Sequence, residues 1–310
     1  MFDHRTKLSF RNEKIMCEYT DYLSRTAGLM KGTIYNRLYN TRNFLAAQEK
    51  LENFEVTKLK PMDVQKYIFK IADRYERNTL GNTRTTLRSF FKYMHLKGKV
   101  DETLAKSVPE MPKWSLSEIP DHMTEKQTQQ LLESFDQSRA EGRRNYAIAM
   151  VLVHLGLRSG EVAAIELGDI DWKNGILNVR NLKCRRTESL PLPKEVGEAI
   201  VEYIKNSRPK SQYKQIFLCH RTNRGRPVNA RTVQSNMTYR FKKCRMKLPQ
   251  YGTHIIRRTV AGRMIQNGAS LKEIADVLRH RHLDTTKIYT KINLPALREV
   301  ALEWPWGGQS

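Results

Sequence analysis

The stretch RRNYAIAMVLVHLGLRSGEVAAIELGDIDW, residues 143–172, decides the fold. Its first half runs apolar without a break from Ala147 to Val153, with no polar face for solvent. That pattern predicts a helix buried on all sides. A glycine-containing turn at 156–160 follows, and then a second helix. Arg158 closes the apolar run at the edge of what should be core, three residues before Glu161. On a helix that spacing lets the carboxylate orient the guanidinium. A plain helix-end salt bridge fits the same residues.

Downstream, GILNVR (175–180) and TESLPLP (187–193) read as two short strands around the basic turn NLKCRR (181–186). From 229 onward the pattern is helical again. ASLKEIADVLRH (269–280) opens with capping-box spacing, Ser270 to Glu273, and TEKQTQQLLESF (124–135) does the same with Thr124 and Gln127. Upstream, residues 11–106 carry apolar residues at three- and four-residue intervals in four successive segments, with Pro61 placed as a helix-start residue. Residues 107–123, SVPEMPKWSLSEIPDHM, hold three prolines and little periodicity and read as a linker. The expected architecture is therefore mainly α. A helical domain (1–106) precedes a mostly helical domain (124–292) with a small antiparallel β-sheet, and a tail (293–310) follows.

The 310 residues carry a net charge of +23. Residues 1–106 contain 21 Lys and Arg against 12 Asp and Glu, and the remainder 34 against 20, so both halves are basic. Cations on a phosphate track release condensed counterions, which makes nucleic acid the expected partner. An anionic membrane is the rival, but the sequence shows neither an apolar span nor a signal peptide. Cys17, Cys184, Cys219 and Cys244 are widely separated with no C-x-x-C pair, which fits reduced thiols in a cytoplasm. There is no Walker-type loop and no H-E-x-x-H. No cofactor or metal site is expected.

Four patches carry candidate chemistry. Arg158 and Glu161 form the first, and Lys183 in the basic turn the second. THIIRR (253–258) places His254 and Arg257 on one helical face. There an imidazole and a guanidinium disfavour each other's charge, and a phosphate between them would remove the conflict. VLRHRHLDTTKIYTKI (277–292) supplies His280 and, nine residues on, Tyr289. Phosphoryl transfer needs charge neutralised on the non-bridging oxygens, a proton for the leaving oxygen, and a nucleophile. Guanidiniums, a lysine and a tyrosine provide these. Arg84, Arg88 and Lys92 fall at i, i+4 steps on one helix face and are candidates for DNA-backbone contact, although such a stripe also suits a solvated face.

This set, in this order, resembles the tyrosine recombinase (phage integrase) family over roughly residues 10–300. LGLRSGE is similar to the first arginine segment, with Arg158 as a phosphate clamp and Glu161 supporting it. LKCRRTESLPLP resembles the strand-turn-strand, with Lys183 as general acid and Arg185 and Arg186 sharing its turn as DNA contacts. HIIR resembles the His-x-x-Arg box, giving His254 and the second clamp, Arg257. LRHRHLDTTKIYT resembles the closing motif, with His280 as second histidine and Tyr289 as nucleophile. Residues 1–106 resemble the SAM-like helical core-binding domain. Arg279 stands where a glycine is usual, Arg258 where a second histidine is frequent, and Gly160 where Ser or a bulkier residue is. The two additional arginines are placed to change phosphate affinity.

The resemblance implies cleavage of double-stranded DNA at a specific site through a 3′-phosphotyrosyl link, without metal or ATP. Strand exchange would proceed through a Holliday junction in a homotetramer, with an accessory protein or partner recombinase as a further possibility. The 293–310 tail docks on a neighbouring protomer or packs on its own. With no arm-binding domain read ahead of the helical one, the expected type is a simple two-domain recombinase of the transposon or Xer kind, with a phage or transposon mobile element as its source, over an integrase needing distant arm sites. Two rivals remain. Residues 271–289 alone suit the helix-turn-helix of a non-catalytic DNA-binding protein, and a type IB topoisomerase shares the tyrosine chemistry.

Overall fold

A helix with no polar face must be wrapped by other elements, and residues 140–155 are. The computed structural model describes residues 7–50, 54–110, 122–181, 186–248 and 250–279. The chain divides into two units, Met1–Lys113 and Trp114–Ser310.

The first unit is helical among its described residues. Helices α1 (Phe10–Asp21), α2 (Lys31–Gln48), α3 (Pro61–Ala72) and α4 (Arg77–Leu96) enclose one core, and α5 (Thr103–Lys106) caps it. Pro61 occupies the first turn of α3, where its missing N–H costs nothing. The core is aromatic: Phe44 meets Tyr67 and Phe91 edge-on at 5.0 and 5.6 Å, and Tyr19 meets Phe90 at 5.3 Å. Outside it, Arg42 grips Glu13 with two bonds of 2.6 and 2.8 Å, joining α2 to α1.

The cationic stripe on α4 has divided uses. Arg88 donates through Nη2 to the carbonyl of Val108 at 3.1 Å, and Glu110 lies 4.0 Å from the same nitrogen. That guanidinium straps the outgoing chain to the unit, and Val108 is buried in its core. Arg84 is half-buried with its Nε enclosed, whereas Lys92 is exposed.

In the second unit α6 (Glu125–Glu133) begins at the Thr124 cap, with both arms of the capping box formed. Helix α7 (Ala140–Leu155) is the central element, buried from Ala147 to Val153. It packs against α9 (Lys194–Asn206), α11 (Thr253–Gln266) and α8 (Ser159–Ala164). Strands β1 (Ile170–Asp171), β2 (Ile176–Asn181) and β3 (Arg186–Pro191) form an antiparallel sheet in that order, with Val179 opposite Glu188. Sequence reading finds β2 and β3 and misses the two-residue β1. Helices α10 (Ala230–Lys243) and α12 (Leu271–Val277) complete the described part, and the Ser270–Glu273 box opens α12 as its spacing predicts. The 293–310 tail lies outside the described residues.

The turn after α7 explains its glycine. Gly156 has φ +58° and ends the helix in the left-handed region, and a Cβ there would stand 2.8 Å from Leu278 Cδ2. Close approach of the α12 end to the α7 end therefore needs glycine. Gly156→Ala is expected to cost about 2 kcal/mol, the left-handed backbone and the crowding each contributing. Thermal unfolding should show a midpoint about 5 °C lower, and an unchanged midpoint would contradict this account of the junction.

Candidate active site

Four helix ends converge in the second unit: the C-terminal ends of α7 and α12 and the N-terminal ends of α8 and α11. A hydroxyl pair, Ser159 Oγ and Thr253 Oγ1 at 2.8 Å, ties the two N-termini together. At this junction lie Arg158, Glu161, His254 and Arg257, four of the residues singled out in the sequence.

Glu161 is 5% exposed, and both of its carboxylate oxygens are engaged. Oε1 accepts from Arg158 Nη1 at 2.8 Å, and Oε2 accepts the Arg158 backbone N–H at 2.8 Å. The second bond reaches back from the third helical position to the N-cap, a common way to satisfy an orphan amide. Oε2 also accepts from Arg279 Nη2 at 3.1 Å. Burial alone would raise the carboxyl pKa, but the charges of Arg279 and Arg158 and the hydrogen bonds from Arg158 outweigh it. Glu161 is thus held below the ordinary carboxylate value. Its ionic contribution to stability is present above pH about 4.5 and is lost as pH falls through the lower folded value.

Arg158 and Arg257 are both anchored on the end of α12. Arg158 Nη2 donates to the carbonyl of Arg279 at 3.0 Å, and Arg257 Nη2 donates to that of Leu278. Arg257 Nη1 donates to the carbonyl of Gly156 at 2.6 Å, so one guanidinium links the ends of α7 and α12. Carbonyls past the last helical turn lack intrahelical partners and carry partial negative charge, so guanidiniums suit them. Arg257 is buried, while Arg158 keeps its side chain 37% exposed and faces outward.

His254 stands on the exposed side of α11. Partial burial of the ring, with Arg258, Arg257 and Arg158 nearby, holds its pKa below the ordinary value of 6.5. The free imidazole is therefore neutral at pH 7 and able to accept a proton. Because the folded pKa is depressed, the unfolded chain binds the extra proton first. His254 therefore costs stability as pH falls through 6.5.

Arg279 departs from expectation. It does not present its charge outward to an anion. Its side chain is 1% exposed and turned inward onto Glu161. The inward turn depends on a positive φ of 53°, and the glycine usual at this position in the family it resembles is the one sequence signal of such a backbone. Lys183 and Arg185 fall in 182–185, and His280 and Tyr289 lie beyond 279, so all four are outside the described residues. Arg186 opens β3. Among the described residues no group of three or more His, Cys, Asp or Glu is placed to hold a metal ion, and no helix is long and apolar enough to cross a membrane.

A proton NMR titration of the free protein should place His254 below pH 6.5, and Arg258→Ala should move it upward by removing a neighbouring positive charge. A His254 titrating above 6.5 would contradict this electrostatic account.

The model of the phage integrase family matches residues 121–294. The putative integrase/recombinase y4rA of Sinorhizobium fredii is 37% identical over 291 residues, covering 94% of this chain and 71% of that protein. The tyrosine recombinase XerC of Thermodesulfovibrio yellowstonii is 27% identical over 277 residues, covering 88% and 91%. The crystal structure of the XerH site-specific recombinase bound to a palindromic difH substrate superposes with a TM-score of 0.72 at 18% identity, over 87% of this chain and 79% of that one. The fold is that of the tyrosine recombinases, and the chain belongs to the phage integrase family.

Proposed function

We propose that this protein is a site-specific DNA recombinase that cuts and rejoins double-stranded DNA through a covalent tyrosyl link. The observation that carries the reading is the pair of guanidiniums, Arg158 and Arg257, fixed on one helix end, with His254 close enough to feel both charges. A non-catalytic helix-turn-helix protein has no use for that arrangement. A guanidinium keeps its charge at all working pH values and matches two phosphate oxygens at once.

In the proposed reaction the hydroxyl oxygen of Tyr289 attacks a backbone phosphorus. Its proton must leave as it attacks, because a phenol has a pKa of about 10. The bond from phosphorus to the 5′ oxygen breaks, and Lys183 supplies the proton that makes this oxygen a hydroxyl. Arg158 and Arg257 hold the non-bridging oxygens, where negative charge concentrates in the transition state. His254 and His280 assist by hydrogen bonding and proton handling. The 3′-phosphotyrosyl ester conserves the energy of the broken bond, so a 5′-hydroxyl from a partner duplex can reverse the step without ATP. Two such exchanges through a Holliday junction, in a tetramer on paired sites, complete recombination. The charge of +23 supplies the non-specific grip on the duplex, with Lys92 and Arg84 of α4 and Arg185 and Arg186 of the hairpin turn contributing.

A suicide substrate carrying a nick near the cleavage site tests the reading directly. Wild-type protein should form an adduct that survives denaturing electrophoresis and the presence of EDTA, whereas Tyr289→Phe should bind the same DNA and form none. An adduct in Tyr289→Phe would remove Tyr289 as nucleophile, and loss of the wild-type adduct in EDTA would point to a different class of enzyme. Arg158→Lys and Arg257→Lys should each slow capture by about a hundredfold, because a point charge does not reproduce a two-point clamp.

A further inference from the structure

We infer that Arg279 is a positioning residue for the phosphate clamp, locking the end of α12 against α8 through the buried carboxylate of Glu161. The inference rests on reading Arg158 and Arg257 as the clamp.

Three observations carry it. First, Arg279 adopts φ +53°, a left-handed backbone state that L side chains rarely take. Such strain persists where the surroundings fix the residue, and here its guanidinium is the fixing element. Secondly, that guanidinium is almost wholly buried and spans two anchors. Nη2 donates to Glu161 Oε2 at 3.1 Å, and Nη1 donates to the carbonyl of Val277 at 3.0 Å. Among the described residues its Nε has no hydrogen-bond partner, and Glu188 Oε2 on β3 lies 4.0 Å from it. A cation buried in this way is costly unless paired, so the side chain is not filling space.

Thirdly, the contacts form a closed ring. The Arg279 carbonyl receives Arg158, Arg158 and Arg279 share Glu161, and the adjacent Leu278 carbonyl receives Arg257. One side chain thus sets the position of two consecutive carbonyls on which both clamp guanidiniums rest. It also divides the Glu161 charge, so that Arg158 is not neutralised by a carboxylate of its own.

Arg279→Gly removes the guanidinium and leaves a residue that adopts the same backbone without strain. Single-turnover cleavage at saturating DNA should fall about tenfold or more, because the clamp loses its register, while DNA affinity changes by less than about threefold. Thermal stability should fall, because Glu161 loses one of the two cations that solvate its buried charge, so cleavage is measured well below the variant's unfolding midpoint, and guanidinium ion added at millimolar concentration should recover part of the lost rate. A normal rate in Arg279→Gly overturns the inference. So does a slow rate that guanidinium leaves untouched, or one accompanied by an equal loss of DNA affinity. Arg158→Lys assayed alongside separates the two levels of the argument. If it is slow while Arg279→Gly is normal, only the role of Arg279 falls; if it cleaves normally, the clamp reading falls as well.

Discussion

One buried carboxylate organises the candidate site. Glu161 takes the backbone N–H that starts α8, the guanidinium of Arg158 on its first oxygen and that of Arg279 on its second. An ionised carboxyl in this setting is tolerable only because two cations and an amide solvate it in place of water. The arrangement is also asymmetric in charge. Among the described residues Arg158, Arg257 and Arg279 bring three positive charges to the single negative charge of Glu161, and Glu188 Oε2 lies 4.0 Å from Arg279. A site with surplus fixed positive charge is prepared for an anion before it arrives, and a transition state gains most from dipoles and charges that need not reorganise.

The scaffold beneath follows from packing. Helix α7 is wrapped on every side, and its left-handed glycine end lets α12 come within contact of it. Arg257 uses that proximity to bridge the two ends through the carbonyls of Gly156 and Leu278. The hydroxyl pair Ser159–Thr253 holds the other two helix starts in place. Arg158, His254 and Arg257 are therefore mounted on helix termini, where unpaired carbonyls and amides are available, while the helix bodies form the apolar core.

Features set by neighbours in the chain were legible in the sequence. Both capping boxes, the proline at the start of α3, the turn at 156–160, the β2–β3 hairpin and the pairing of Arg158 with Glu161 depend on spacings of two to four residues. Features that depend on distant partners were not. Arg88 reads as one of three cations on a helix face, yet it is held by carbonyls 20 and 21 residues away. Arg279 reads as an additional arginine near the phosphate, standing where a glycine is usual, yet its side chain is turned onto a carboxylate 118 residues earlier. Strand β1 is two residues long and carries no periodicity to detect. Lys183, His280 and Tyr289 lie outside the described residues, and the roles proposed for them rest on their sequence motifs alone.

The central claim is that Glu161 preforms the clamp by holding Arg158 and Arg279. Glu161→Gln keeps the shape of the side chain and removes its charge. Covalent capture of nicked DNA by this variant, measured in a single turnover at saturating DNA, should fall by about a hundredfold with DNA affinity little changed, the mark of an interaction used in the transition state. Capture at the wild-type rate by a folded Glu161→Gln protein would contradict the account.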